Sequence, residues 1–243
     1  MLVRTARTEG RGPGDGVAPR PGDFSDLYIR NFSFWPHLTD GQRSLLNGHS
    51  HVVSFAKGRL LFGGSDDCVG VVLVKTGRLR AYTLSEDGRE VTLYSVFPGE
   101  VEVLTATCVL KDITYHVFVE AAEDTTVLLT DSAAFRAVAD SNIYARCAAY
   151  ERAARRLSEM LHALQEVLFV SADKRLARFL LGESRQLGTD KLKLTQAQIA
   201  SYMGSAREVV SRLLRDLSAA GLVRAGRGTV TLLDREALEK MAR

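Results

Sequence analysis

Cysteine is scarce in this chain. Cys68, Cys108 and Cys147 lie far apart and form no C-x-x-C pair, which argues against a ribbon-type zinc site or a dithiol redox motif. Three thiols without a secretory leader fit a reducing compartment and predict a cytoplasmic location. No run reaches the roughly 18 consecutive apolar residues of a membrane-spanning helix, so no membrane partner is expected. The N-terminus lacks the apolar h-region of a signal peptide. No P-loop and no nucleophile–base pair stands out, so the chain does not read as an enzyme.

What is present is an ordinary globular balance. Hydrophobic residues make up 46% of 243 residues and charged residues 25%, enough for one or two packed domains. The net charge of +3 is unevenly placed. Residues 171–243 hold fourteen Lys/Arg against eight Asp/Glu, and residues 1–170 hold eighteen against twenty-one. A basic C-terminal third on a mildly acidic body points to a polyanion at that end.

The chain divides into four parts. Residues 1–23 are rich in Gly, Pro and Arg, lack hydrophobic periodicity and read as a disordered tail. Residues 24–141 read as one domain. It opens with helical pieces, with a helix start at Leu38-Thr39-Asp40 and Leu45 and Leu46 facing inward. Six short apolar stretches follow: Val52–Phe55, Val69–Val74, Leu79–Leu84, Val91–Phe97, His116–Val119 and Thr126–Leu129. Turn signals such as Ser85-Glu86-Asp87-Gly88 and Pro98-Gly99 separate them. Strands repeating roughly every ten residues predict a sandwich or barrel.

Residues 142–170 form a long helix and a hinge. The helix contains neither Gly nor Pro. Ile143, Cys147, Tyr150, Ala154, Leu157, Leu161, Leu164 and Leu168 recur in steps of four and three, the heptad pattern of a helix-to-helix seam between two protomers. Arg152, Arg155, Arg156 and Glu159 fall on other faces. Phe169–Ala172 breaks the pattern and is the candidate hinge.

Residues 171–243 carry the chemistry. Thr195-x-x-Gln198 has capping-box spacing and starts a helix at Gln196. Gly204 permits a turn through positive φ, and Ser205 is placed to cap a second helix. Small Ala200, with Ile199, Val210 and Leu213, suits two helices crossing steeply, a helix-turn-helix. On the second helix Arg207, Glu208, Ser211 and Arg212 remain outside the apolar face. A guanidinium can bond guanine O6 and N7 together, a carboxylate can accept from cytosine N4, and a hydroxyl serves either role. These four are the candidate base readers. Glu208 could instead close a capping box with Ser205 or pair with Arg212 at i,i+4. Gly221–Val223 and Thr229–Leu233 flank a short wing, with Arg224 and Arg227 at its tip. Together with Thr195, Gln196 and Ser205 they are the candidate phosphate contacts.

In this order, and on the stretch Leu194–Leu214 with Arg207-Glu208-Val209-Val210-Ser211-Arg212 at its centre, the chain resembles the Crp/Fnr family of bacterial transcription regulators over residues 24–243. The resemblance implies an α+β chain: an N-terminal cyclic-nucleotide-binding-like β jelly roll, a long dimerisation helix and a C-terminal winged helix-turn-helix. It implies a homodimer on double-stranded DNA with a palindromic site, and RNA polymerase as a further partner. Glu208-x-x-Ser211-Arg212 resembles the Fnr-type reading head, associated with TTGAT-like half-sites, rather than the Crp-type head of TGTGA-like sites.

The resemblance weakens at the effector. Members that bind cyclic AMP carry Gly-Glu followed by Arg-Ser/Thr. After Gly99-Glu100 no Arg follows, Lys111 is the nearby cation, and Ile113–His116 replaces the Arg-Ser pair. Cyclic AMP is therefore not expected. An Fnr-type iron–sulfur cluster needs an N-terminal cysteine group, and the first cysteine here is Cys68. Haem would have only His116 and Cys108 as ligands, and Cys147 reads as a small buried hydrophobe rather than a thiol sensor. What remains is an unidentified small-molecule effector, with candidate lining Glu102, Thr105, Thr107, Cys108, Lys111, Tyr115, His116, Arg146 and Tyr150. Two alternatives stay open. One is a constitutive DNA-binding dimer with a vestigial sensor barrel. The other is a cupin-type metalloenzyme fused to a DNA-binding domain, for which His49-Ser50-His51 has the first element but precedes the barrel and lacks a downstream Glu and third His. No metal ligands are assigned.

Overall fold

The computed structural model describes residues 23–63, 70–85, 88, 90–104 and 117–243. The reading of residues 1–22 as a tail lies outside them. The N-terminal segment forms α1 (Ser25–Asn31), a 3-10 turn (Trp35–His37) and α2 (Asp40–Gly48). The expected start of α2 is a complete capping box between Thr39 and Gln42. Tyr28 stacks on Trp35 with centroids 4.4 Å apart, and its hydroxyl lies 2.6 Å from both Ser50 and Thr130. This satisfied phenol pins α1 to the barrel.

Eight strands follow: β1 (Ser50–Phe55), β2 (Leu60–Gly63), β3 (Gly70–Thr76), β4 (Leu79–Leu84), β5 (Glu90–Val96), β6 (Val101–Leu104), β7 (Phe118–Ala121) and β8 (Thr125–Thr130). They pair antiparallel into two four-stranded sheets, ordered β1-β8-β3-β6 and β2-β7-β4-β5. Val72, Val74, Leu79, Ala81, Val119 and Val127 fill the space between the sheets. Val71, Leu73, Val101 and Leu128, on the other face of the first sheet, pack under Tyr28, Phe135, Val138, Ala145 and Ala149. β3 is thus buried on both faces from Gly70 to Val74, which is why it reads as an unbroken apolar run. Gly77 turns β3 into β4 with φ +82°, and a Cβ there would lie 2.4 Å from the Asp124 carbonyl oxygen, so only glycine fits.

Two strands were not legible. β2 is four residues long, and its Gly63 reads as a turn in sequence. β6 follows the Gly99 turn directly. His51 and Ser50 belong to β1 rather than preceding the barrel. Ser50 is committed to Tyr28, Leu46 and Thr130. Among the described residues no cluster of His, Cys, Asp or Glu could hold a metal.

α3 (Ser132–Ser141) and α4 (Ile143–Phe169) are joined by Asn142, whose side chain accepts from the amides of Tyr144 and Ala145. With 27 residues, α4 runs about 40 Å. Val170 and Ser171 are extended and separate it from α5 (Ala172–Leu187). Beyond lie β9 (Lys191–Leu192), α6 (Gln196–Met203), α7 (Arg207–Ala219), β10 (Val223–Gly226), β11 (Thr229–Leu232) and α8 (Arg235–Ala242). Leu176, Leu180, Ile199, Val210, Leu214, Val230 and Leu238 form their common core. Among the described residues no helix is long and apolar enough to cross a membrane.

Candidate nucleic-acid interface

α6 begins at Gln196 because Thr195 and Gln198 cap it reciprocally. It ends at Gly204, which adopts φ +59°, ψ +39°. The Ser205 amide then donates back to the Ala200 carbonyl at 2.9 Å, the bond that closes a left-handed helix terminus. Arg175 adds a donor to the Met203 carbonyl at 3.0 Å. The chain stays extended through Ala206, the N-cap of α7, whose side chain makes no cap. Ser205 therefore does not cap α7, and no capping box with Glu208 forms.

α7 has a strong division of faces. Val210, Leu214 and Leu217 are buried against α5 and α6. Arg207, Glu208, Arg212 and Arg215 are exposed, and Ser211 is half-buried. No ion pair joins Glu208 to Arg212 among the described residues, so the i,i+4 pairing is absent and both side chains are free to meet a ligand. Arg215 escaped the sequence reading. It lies three residues beyond Arg212 on the same side of the helix, a spacing that could have found it.

The wing is the β10–β11 hairpin, with β9 as a third strand. Arg227 sits at its tip beside Gly228, where φ is +71°. Arg224 does not: it lies on β10 opposite Thr231. The hairpin is longer than the sequence signal because pairing extends to Gly226–Thr229. Both arginines are exposed, as is Thr195, whereas Gln196 and Ser205 are half-buried.

Within the barrel half, the outstanding polar feature is Glu102 on β6. It is 5% exposed and accepts from Arg156 Nε at 2.5 Å. Arg156, itself buried, also reaches Glu159 at 2.5 Å and lies 4.6 Å from the Tyr94 ring centroid. Arg156 therefore faces the barrel, on a side of α4 other than the heptad seam.

A model of the Crp-like helix-turn-helix domain matches residues 174–241, and one of the cyclic nucleotide-binding domain matches residues 52–142. The crystal structure of a transcriptional regulator of the Crp/Fnr family from Eubacterium rectale is 35% identical, with TM-score 0.84, covering 88% of this chain and 99% of that one. The chain belongs to the Crp/Fnr family. The nitrogen fixation regulation protein FixK of Bradyrhizobium diazoefficiens is 26% identical over 225 residues, 90% of this chain and 93% of FixK. The cyclic AMP receptor protein of Thermus thermophilus is 29% identical over 188 residues, 77% of this chain and 86% of that protein. This Crp/Fnr protein is thus a transcription regulator with a DNA-binding helix-turn-helix and a cyclic nucleotide-binding-type domain, and not an enzyme.

In this regulator three of the candidate effector residues, Glu102, Arg146 and Tyr150, fall among the described residues. Thr105, Thr107, Cys108, Lys111, Tyr115 and His116 lie outside the described residues. Arg146 is engaged at the junction of α3 and α4. Its guanidinium donates to the carbonyls of Ala139 and Asp140 at 2.9 and 2.6 Å, because the single-residue junction at Asn142 brings the end of α3 beside the first turn of α4. Tyr150 points outward, 46% exposed, on the same face as Leu157. Cys147, on the same seam, is exposed in the single chain, as Ile143 and Tyr150 are. A small cleft between the N-terminal helices and α4 is lined in part by Asn31, Ser33, Phe34, Val101 and Arg152. It lies on the helix side of the first sheet, outside the sandwich interior.

Burial pushes the Glu102 carboxyl up to about 7, against the pull of Arg156. Its folded value lies above its unfolded one, so its stabilising contribution is complete below the ordinary carboxylate range and is lost as pH rises through about 7. The urea midpoint of the regulator is expected to fall between pH 5 and pH 8, and Glu102→Gln to flatten that fall. An unchanged slope in Glu102→Gln would show that another group sets it.

Proposed function

We propose that this regulator works as a homodimer. The two copies of α7 read a palindromic operator of TTGAT-like half-sites, under the control of a small-molecule effector other than cyclic AMP, and the bound dimer acts through RNA polymerase. The observation that carries the reading is the pairing of two exposed surfaces. One is the unpartnered Arg207, Glu208 and Arg212 face of α7. The other is the α4 stripe, where Ile143, Tyr150, Leu157, Leu161, Leu164 and Leu168 are 46–62% exposed. An apolar stripe of that extent is unusual on a monomer, and a second copy of α4 is its natural cover. Two reading helices related by a two-fold axis then require a two-fold operator. No iron–sulfur cluster or haem is assigned.

Base contacts are given to Arg207, Glu208, Ser211 and Arg212, with Arg215 joining them as a further DNA contact. Phosphate contacts are given to Thr195, Gln196, Ser205, Arg224 and Arg227. Against cyclic AMP stands the absence of any arginine from residues 99–116, since a cyclic phosphate needs a bidentate cationic partner.

The test is fluorescence anisotropy on TTGAT-type and TGTGA-type palindromes, with and without cyclic AMP. Tighter binding to the TTGAT form, unchanged by cyclic AMP, is expected. A clear preference for the TGTGA form, or tightening by cyclic AMP, would overturn the finer reading. On the same duplexes Arg227→Ala is expected to weaken specific and random DNA alike and to lower the salt slope by about one per protomer. A loss confined to the operator would instead make Arg227 a base reader.

A further inference from the structure

α6 is covered on its far side by the barrel. β5 is an edge strand of its sheet, and α6 lies along it. Thr92 Oγ1 donates to the Ser201 carbonyl at 3.2 Å, and Ser201 Oγ donates to Glu90 at 2.8 Å. Gly204 sits so close to Val91 that a Cβ would lie 3.1 Å from its methyl group. Arg80, 5% exposed on β4, holds Glu120 and Glu90 at 2.9 and 2.5 Å and also donates to Ser201.

The strongest link is Arg78. It is 8% exposed and donates from one nitrogen to both oxygens of Glu183 on α5, at 2.9 and 3.0 Å. Its guanidinium lies 5.4 Å from the Tyr202 ring centroid, and that of Arg80 lies 5.7 Å from the same ring. The carboxylate partners of Arg80 all come from the barrel. Arg78 has barrel neighbours in Phe97, 6.0 Å from its guanidinium, and the more distant Glu123, but the one carboxylate that it ion-pairs among the described residues is Glu183 of the DNA-binding domain, which has no other ionic partner there.

We infer that Arg78 and Glu183, with Tyr202 between the two arginines, are positioning residues that fix the one orientation in which the DNA-binding domain docks on the barrel, and so aim α7. The physical basis is the asymmetry of buried ion pairs. A correct pair contributes little net stability, because desolvation offsets attraction. A misregistered docking that buries either charge alone is strongly disfavoured. Such a contact selects geometry rather than strength. Undocking returns both charges to water, so the link can also open without unfolding either half. Since α6 and α7 share one core, an orientation imposed on α6 is imposed on the reading helix. The aiming role rests on the assignment of α7 as the DNA-contacting helix; the docking key itself does not.

The test is read without DNA first. In the full chain, amide exchange along β5 (residues 90–96) reports the cover that α6 gives this edge strand. Arg78→Glu and Glu183→Arg are each expected to speed exchange there by about tenfold, and the double charge swap to restore it to within about threefold of the parent. Glu183→Gln, a milder change, is expected to do the same as the single reversals in lesser degree and covers the case in which a reversal fails to fold. Operator binding is then compared on a palindrome and on an isolated half-site. The single variants should lose affinity for the palindrome more than for the half-site, and the swap should recover it. Unchanged β5 exchange in the single variants, or a swap no better than either single, would overturn the docking key. Restored docking without any palindrome-specific effect would overturn only the aiming of α7.

Discussion

Arg212→Ala is expected to abolish operator-specific binding while leaving the fold intact. Arg212 is exposed on α7 and has no ionic or hydrogen-bonding partner among the described residues, so its truncation removes nothing that holds the domain together. Exposed substitutions of this kind change stability by about 0.5 kcal/mol or less. The reading role is different. A bidentate arginine–guanine contact discriminates by about 1–3 kcal/mol, and a symmetric dimer loses it in both half-sites. Affinity for the palindrome should therefore approach that for random DNA, which phosphate contacts sustain. Anisotropy titrations on operator and scrambled duplexes measure both, and a thermal melt checks the fold. If the variant kept operator affinity, the reading face would lie elsewhere on α7, with Arg207 and Arg215 the next residues to test.

Replacing Leu157 and Leu164 together by Glu is expected to split the dimer. Each is more than half exposed in the single chain, and neither belongs to a core cluster. The substitutions should therefore leave the protomer folded. Burying one leucine stabilises by about 1.5–3 kcal/mol, and four leucines are lost across a two-fold seam. Because each leucine is already nearly half buried in the single chain, the loss is about 3–6 kcal/mol, roughly two to four orders of magnitude in the dimer dissociation constant, before repulsion between facing carboxylates. Light scattering should give a monomer at micromolar concentration. A dimer of unchanged stability would mean that the α4 stripe is covered by something other than a second α4.

The legible parts of the chain were those written in local chemistry. The Thr195–Gln198 capping box, the positive-φ Gly204 and the apolar face of α7 each depend on residues within a few positions of one another, and the helix-turn-helix follows from them. The heptads of α4 are legible for the same reason. Ser205 failed as a cap because the backbone runs extended for one more residue, a choice made by the Ala200 carbonyl taking the Ser205 amide. The longer-range pairs left no local trace. Arg156 looks like a solvated helix residue until β6 places Glu102 beneath it, 54 positions away in sequence. Arg78 and Glu183 are separated by 105 positions. Nothing near Arg146 in sequence signals that it binds the end of α3, a contact that the Asn142 junction creates.

The central claim is that two copies of α7 act together on a two-fold site. The most direct measurement is the stoichiometry and affinity of the full chain on a TTGAT-type palindrome, compared with the same duplex carrying one scrambled half-site. The account predicts two protomers per palindrome and a large loss of affinity when either half is scrambled. One protomer per duplex, with equal affinity for both DNAs, would contradict it.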